Sequence, residues 1–532
     1  MGARLCESAL GDRTAKERRM HLTQTLHQAV QQGPDRPMTE FGERVRTVGE
    51  VAGRVARFAG ALKELGVGAG DRVGILALNS DRYHEYLLAT PWANAVLNPI
   101  NIRWSPAEIA YSLTESDTRV LLVDDAFVPM VPKLREAGVT TVVHIGETST
   151  PDGMLGYEDL VAGADPVDDA RRGGDDLLGV YYTGGTTGTP KGVMLSHRNL
   201  LTSALGSLAT GRFLTARGKL LHAAPMFHLA DGAAWAAGQL VGATHVIVPM
   251  FTPAGVLEAI SGRGVTDTLL VPTMIQLLVD HPDVAKHDLT SMKHVVYGAS
   301  PISEAVLDRA RKAFPGAGFV QAYGMTELSP VATLLSAEDH DDPALRRAAG
   351  RAAPHAEVRI VDVDDVEVPR GSVGEIVCRG DHVMLGYWNR PEETATALRG
   401  GWMHTGDGGY MDERGYVFVV DRIKDMIVSG GENVYSAEVE NALAKHLSVA
   451  ACAVIGVPDE RWGERVHAVV VLLDGREATG DELRDFCREA IAGYKVPRTF
   501  EFTDALPMSG AGKILKRELR KRHWTDGDRG VH

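Results

Sequence analysis

The chain has little cysteine. Four residues in 532, Cys6, Cys378, Cys452 and Cys487, stand far apart and form no CxxC pair. That scarcity argues against a disulfide framework and against a cysteine-held structural zinc, and it suits a reducing compartment, so a cytoplasmic location is expected. No run of about 18 apolar residues occurs, so no transmembrane helix is expected; peripheral contact with a membrane stays open. There is no basic excess either. The formal net charge of -14 speaks against a nucleic-acid binder, which would show a basic domain. The opening MGARLCESALGDRTAKERRM lacks the apolar stretch of a signal peptide, and residues 1–19 are expected to form a disordered tail. Internal repeats and low-complexity tracts are absent as well.

What remains is an ordinary globular composition, 44% hydrophobic and 24% charged, on a chain long enough to bury a core without staples. From Val48 to Leu65 apolar residues recur at helical spacing, and Gly66 follows. Short apolar runs at Val73–Leu78, Val120–Val123 and Val139–Ile145 alternate with helical stretches from Asp81 and around Val128–Ala137. The rhythm returns at Thr244–Val248, Thr268–Val271 and His294–Tyr297. Buried strands alternating with helices predict an α/β fold on parallel sheets. After about Gly350 the segments become short, β-rich and punctuated by glycine. Beyond Asp425 a helix–strand–strand–helix order predicts a compact α+β unit. The boundary is placed in the charged segment Arg422–Asp425.

The densest chemistry lies at Thr183-Gly184-Gly185-Thr186-Thr187-Gly188-Thr189-Pro190-Lys191-Gly192. Glycines let a backbone approach an anion closely, consecutive N–H groups can form an anion-binding nest, and Lys191 adds a cation. On composition alone a flexible surface turn fits equally well. A strict Walker loop is excluded, because Pro190 precedes Lys191 and Gly192 follows it.

The whole string resembles the signature loop of the adenylate-forming superfamily, which holds acyl-CoA synthetases, peptide-synthetase adenylation domains and luciferases. One departure is Gly184, where many members carry a hydroxyl. Further motifs of that family follow in order. Pro225-Met226-Phe227-His228 resembles the segment bordering the acyl and CoA passages. Tyr297-Gly298-Ala299-Ser300-Pro301 resembles the turn beneath adenine and the substrate carboxylate. Gln321-Ala322-Tyr323-Gly324-Met325-Thr326-Glu327 resembles the stretch whose Tyr lies near adenine, whose Thr meets the α-phosphate and whose Glu holds magnesium, with Thr183 as a second metal contact. Trp402-Met403-His404-Thr405-Gly406-Asp407 resembles the ribose clamp, an ionised carboxylate being a pure acceptor for sugar hydroxyls. Arg422 falls at a ribose- and phosphate-contacting position and Lys424 at the hinge. Ser429-Gly430-Gly431-Glu432 resembles the loop lining the pantetheine channel. In Gly512-Lys513-Ile514, Lys513 matches the catalytic lysine.

The resemblance implies a large N-terminal domain of layered α/β sheets with a β-rich subdomain (20–421), a hinge at 422–425 and a small mobile α+β domain (426–532). It implies Mg2+ as cofactor, ATP and CoA as co-substrates, and a monomer or homodimer. The expected reaction joins a carboxylic acid to AMP and then transfers the acyl group to CoA. The acyl pocket is expected between His228 and Trp235, at Gly298–Ala299 and at Pro330–Val331. The small residues Ala230, Gly232, Ala233 and Ala234 leave room for a medium- or long-chain fatty acid. Aryl, cinnamic-type or short thioether acids are alternatives, as is an enzyme that loads a carrier protein. A luciferase-like oxygenase and a catalytically dead regulator are more distant readings.

Overall fold

Thr47 opens the helix Val48–Glu64. Its hydroxyl accepts the Glu50 N–H while the Glu50 carboxylate accepts the Thr47 N–H, satisfying donors that a helix start leaves free. Val48, Val51, Val55, Phe58 and Leu62 form its buried stripe. Gly66 follows with φ 84°, in the left-handed region that glycine enters without steric cost.

The computed structural model describes residues 19–183, 190–300, 302–422, 425–429, 432–459, 461–508 and 514–524. By contact density the chain divides into two units. The first runs up to Arg346 and includes Gly350–Glu357 and Cys378–Met403; the second comprises Arg347–Ala349, Val358–Val377 and the chain from His404 onward.

Among the described residues the first unit holds two large sheets. The nine-stranded sheet is parallel through Pro37–Phe41, Thr244–Ile247, Lys219–His222, Asp267–Leu270, His294–Gly298 and Gly318–Gly324. Antiparallel strands close both of its ends. The eight-stranded sheet is parallel from Leu177–Thr183 through Val96–Pro99, Arg72–Leu76, Val120–Val123 and Thr141–His144 to Leu155–Gly156. At its other end Lys191–Ser196 and Gly386–Tyr387 add in antiparallel fashion. Strands Val96–Pro99, Val120–Val123 and Asp267–Leu270 are buried at every residue, as parallel strands covered on both faces must be.

One stretch departs from the sequence reading. The helix expected over Val128–Ala137 is a 3-10 turn, Asp125–Met130, followed by a short helix, Val131–Glu136. Pro129 and Pro132 remove the backbone donors that a single continuous helix would need.

Among the described residues the second unit contains a four-stranded sheet and a five-stranded one. In the latter, Val449–Asp459 pairs antiparallel with Gly463–Leu472, against which Thr499–Phe502 lies parallel. Helices Ser436–Leu443 and Gly480–Ala490 supply Val439, Leu443, Leu483 and Cys487 to a core shared with Val454 and Val466.

Candidate functional site

In the first unit, strands His294–Gly298 and Gly318–Gly324 run side by side, with Tyr297 opposite Gln321 and Gly298 opposite Ala322. Their carboxyl ends are where parallel sheets generally place ligand contacts. Both strands end on a glycine that admits no side chain. A Cβ on Gly298 would strike the Ala322 carbonyl oxygen, and one on Gly324 the Pro330 carbonyl oxygen. Ala299 then takes φ 68°. Beyond Gly324 and Met325 the chain makes a 3-10 turn, Thr326–Leu328, which buries Glu327 to 6% exposure. Pro330 and Val331 follow at once. The fold therefore brings Gly298, Ala299, Ser300, Gln321, Ala322, Tyr323, Thr326, Glu327 and Val331 to one end of two adjacent strands.

The glycine-threonine loop springs from the other sheet. Thr183 ends one strand and Lys191 begins its antiparallel partner, the two paired directly. Gly184, Gly185, Thr186, Thr187 and Gly188 lie outside the described residues. Both stems of the loop are tied down. The Tyr182 hydroxyl donates to Glu115 Oε2 at 2.6 Å, and the Trp388 indole N–H donates to the Glu115 carbonyl oxygen at 3.1 Å. The Trp388 backbone N–H donates to the Gly192 carbonyl at 2.7 Å. Burial first, and the bond to Glu115 second, push the Tyr182 phenol well up.

Tyr387 joins loop and turn. Its hydroxyl donates to Glu327 Oε1 at 2.9 Å, and the Lys191 ammonium stands 5.1 Å from its ring centroid. Lys191 also pairs with Glu393, whose carboxyl it holds below the ordinary range through that hydrogen bond. The Met384 N–H donates to the Glu327 carbonyl at 2.9 Å, fixing the turn from behind. Sequence reasoning missed this cluster. Its signal was the run Gly386-Tyr387-Trp388-Asn389-Arg390-Pro391-Glu392-Glu393, rich in aromatic and charged groups between two β-rich stretches.

His228 caps the helix Leu229–Val241, accepting the Ala230 N–H at Nδ1. Within that helix Trp235 is 1% exposed, and its indole N–H donates to His84 Nδ1 at 3.0 Å, which places it in the core. Behind the helix runs a buried polar chain. Asp231 Oδ2 meets His222 Nδ1 at 2.7 Å, and His222 Nε2 meets His245 Nδ1 at 2.8 Å. Burial, then the charge of His222, lowers His84 to about 3. Asp231 Oδ1 and the Tyr83 hydroxyl are buried with no hydrogen-bond partner among the described residues.

In the second unit Asp407 and Arg422 sit opposite each other on paired strands, with Arg422 Nε 2.6 Å from Asp407 Oδ1. Glu375 shapes the approach to Asp407: its carboxylate meets His404 Nδ1 at 2.9 Å and accepts the Gly406 N–H at 2.9 Å. Ser429 and Glu432 are paired on antiparallel strands, while Gly430, Gly431 and Lys424 lie outside the described residues. Lys513 lies outside them too. Met508 and Ile514, flanking it, form an antiparallel bridge, and the Leu515 N–H donates to the Pro507 carbonyl at 2.8 Å. Next to that stem Lys516 pairs with Glu440 at 2.8 Å and bonds Ser436, which in turn donates to Asp421.

The donors at Glu327 and Thr183 are hard oxygens, the type that magnesium takes. Glu327 is buried and already oriented by Tyr387, and one carboxylate plus phosphate oxygens suits an ion that keeps its waters.

The AMP-binding enzyme family matches this chain over residues 26–388, and the AMP-binding enzyme C-terminal domain matches it over 438–513. The chain is 41% identical to a feruloyl-CoA synthase of an Amycolatopsis species over 494 residues, 92% of this chain and 96% of that one. It is 38% identical to a fatty acid–[acyl-carrier-protein] ligase of Streptomyces coeruleorubidus over 517 residues, 96% of this chain and 98% of the other. Among solved structures it is similar to an amide bond synthetase from Marinactinospora thermotolerans, with a TM-score of 0.85 and 30% identity, covering 94% of this chain and 99% of that one.

Proposed function

We infer that this chain, which belongs to the AMP-binding enzyme family, is an AMP-forming acid–thiol ligase whose thiol is that of coenzyme A. The observation that best supports the reading is the Lys191–Tyr387–Glu327 cluster, which sets a cation and an oriented carboxylate beside the stem of the glycine-threonine loop.

In the first step a substrate carboxylate attacks the α-phosphate of ATP, giving an acyl-adenylate and pyrophosphate. Two anions have to meet, so the work falls to preorganised positive charge and positioning. Lys191 brings a cation to the polyphosphate, and Gly298 and Gly324 let the two strand ends pack directly against the Ala322 and Pro330 carbonyl oxygens. Magnesium bound at Glu327 would supply further charge neutralisation on the phosphates. Asp407 is proposed to accept the ribose hydroxyls, with Arg422 holding its carboxylate. Lys513 is proposed to bridge carboxylate and phosphate. In the second step the thiol attacks the acyl carbon and AMP leaves. Ser429, Gly430, Gly431 and Glu432 are proposed for the CoA channel and Lys424 for the hinge.

For the acid we propose a medium- or long-chain fatty acid bounded by His228, Val331 and the half-buried Ala230 and Gly232. A second reading, an aryl acid with a hydroxyl, gains support from Asp231 Oδ1, a buried acceptor with no donor among the described residues, and from the feruloyl-CoA synthase relative. A panel of fatty and hydroxyaryl acids, assayed for AMP release with CoA and with a carrier protein as alternative acceptors, separates these readings. Fatty acids with CoA should give the highest kcat/KM. Preference for a hydroxyaryl acid, lost in Asp231→Asn, would establish the second reading. Activity confined to the carrier protein would overturn the CoA assignment.

A further inference from the structure

The five-stranded sheet of the second unit carries a cluster that the ligase reaction does not use. His467 and Thr499 stand opposite each other on parallel strands, and Glu501 lies two residues along from Thr499. The turn after the helix Lys516–Arg520 brings His523 to the same place. That turn is fixed, because the Trp524 indole N–H donates to the Gly456 carbonyl oxygen at 2.9 Å on the neighbouring strand.

The three side chains offer ligand atoms all within 4.8 Å of one another. His467 Nε2 is 3.8 Å from Glu501 Oε2, and His523 Nε2 is 3.9 Å from the same oxygen. The imidazole centroids are 4.9 Å apart. His467 is only 6% exposed, yet its Nε2 finds no hydrogen-bond partner among the described residues. A buried imidazole nitrogen left open in this way calls for an explanation. Its other nitrogen, Nδ1, meets Thr499 Oγ1 at 2.7 Å, which orients the ring as an outer partner orients a metal-ligating histidine. The Arg522 guanidinium takes Glu501 Oε1 at 2.8 Å, leaving Oε2 toward the histidines.

We propose that His467, His523 and Glu501 form a binding site for a divalent transition-metal ion of the zinc class. Two imidazoles and a carboxylate make a borderline donor set of the kind such ions prefer over magnesium or calcium. Metal–ligand bonds of about 2.0–2.2 Å put tetrahedral donors roughly 3.3–3.6 Å apart, so the 3.8 and 3.9 Å spacings to Glu501 must close by about half an ångström, and the two imidazole nitrogens, which lie within 4.8 Å, by up to about 1.5 Å. His523 and Glu501 are partly exposed and leave a route for entry and room for a water as fourth ligand. A bound ion ties the turn after Lys516–Arg520 to strands Gly463–Leu472 and Thr499–Phe502. It therefore staples the end of the chain that follows the Lys513 segment.

The test is zinc titration of the chelator-stripped full chain by calorimetry, with a thermal melt run in parallel and Co2+ as spectroscopic probe. A second cluster, His21, His27 and Asp169, also has ligand-type atoms, so the readout is the site lost on substitution. The parent should bind one equivalent of zinc that His523→Ala does not bind, and the melting temperature should rise with zinc in the parent only. Thr499→Val, which removes no ligand, should weaken that equivalent about 10- to 100-fold. Parent and His523→Ala binding zinc equally, or a parent that binds no zinc, would overturn the proposal. His523 is on the surface, and an unchanged melt without zinc establishes that the variant is folded.

Discussion

The Tyr387 hydroxyl donates to Glu327 Oε1 at 2.9 Å, bridging 60 residues of chain at a buried position. The bond reserves one lone pair of that oxygen and fixes the direction in which the rest of the carboxylate points. Tyr387→Phe keeps the ring beneath Lys191 and removes only the donor. The Mg2+ concentration needed for half-maximal ATP–pyrophosphate exchange should rise about 10- to 100-fold, the range for losing an outer hydrogen bond to a metal ligand. Binding of Mn2+ with a non-hydrolysable ATP analogue, followed by electron paramagnetic resonance, should weaken in parallel. An unchanged metal requirement with a lowered kcat would assign Tyr387 a different part.

Lys191 is held by Glu393. ATP has to compete with that carboxylate for the same ammonium. Glu393→Gln removes the competitor, and because a partly exposed pair is worth about 0–1 kcal/mol, the Kd of MgATP should fall roughly two- to five-fold. Calorimetry on the acid-free enzyme checks it, and weaker ATP binding would mean that Glu393 supports the site.

The two half-reactions should separate genetically. Lys513→Ala should abolish adenylation while sparing thioester formation from preformed acyl-adenylate, as expected of a residue that bridges carboxylate and phosphate. Lys424→Pro should slow the thioester step more than adenylation, as expected of a hinge that gates the second step. Single-turnover quench-flow on each step reads the ratio, and equal losses in both steps count against the assignments.

Lys516 pairs with Glu440 and bonds Ser436 in a half-buried cluster. Removing one member strands the other charge. Lys516→Ala should destabilise the second unit by about 2–3 kcal/mol, below the ~3–5 kcal/mol of a fully buried pair. Lys516→Met with Glu440→Leu should recover most of that loss in denaturant unfolding. A double variant as unstable as the single one would show that packing, not charge, is the cause.

Much of the fold was legible because its signals are local. The apolar spacing from Val48 and the runs at Val120–Val123 and His294–Tyr297 mark their elements to within a residue or two. The sequence overestimated one helix because periodicity continues through Pro129 and Pro132 while the backbone donors do not. The strand ends at Gly298 and Gly324 were legible as motifs, and the structure adds why each must be glycine. The web around Glu115, Tyr387 and Trp388 was not legible. Trp388 reaches the Glu115 carbonyl across 273 residues, a pairing that depends on which strands become neighbours and leaves no periodicity to read. The His467–Glu501–His523 cluster is of the same kind, since its spacing matches no short metal motif.

The most direct measurement incubates the protein with ATP, Mg2+ and a decanoate-length fatty acid without CoA, followed by mass spectrometry of the quenched mixture and then by CoA addition. One enzyme-bound equivalent of acyl-AMP with matching pyrophosphate is expected, converted on CoA addition to acyl-CoA and AMP. Formation of ADP and phosphate, or acyl-CoA arising with no trappable adenylate under any acid in the panel, would contradict it.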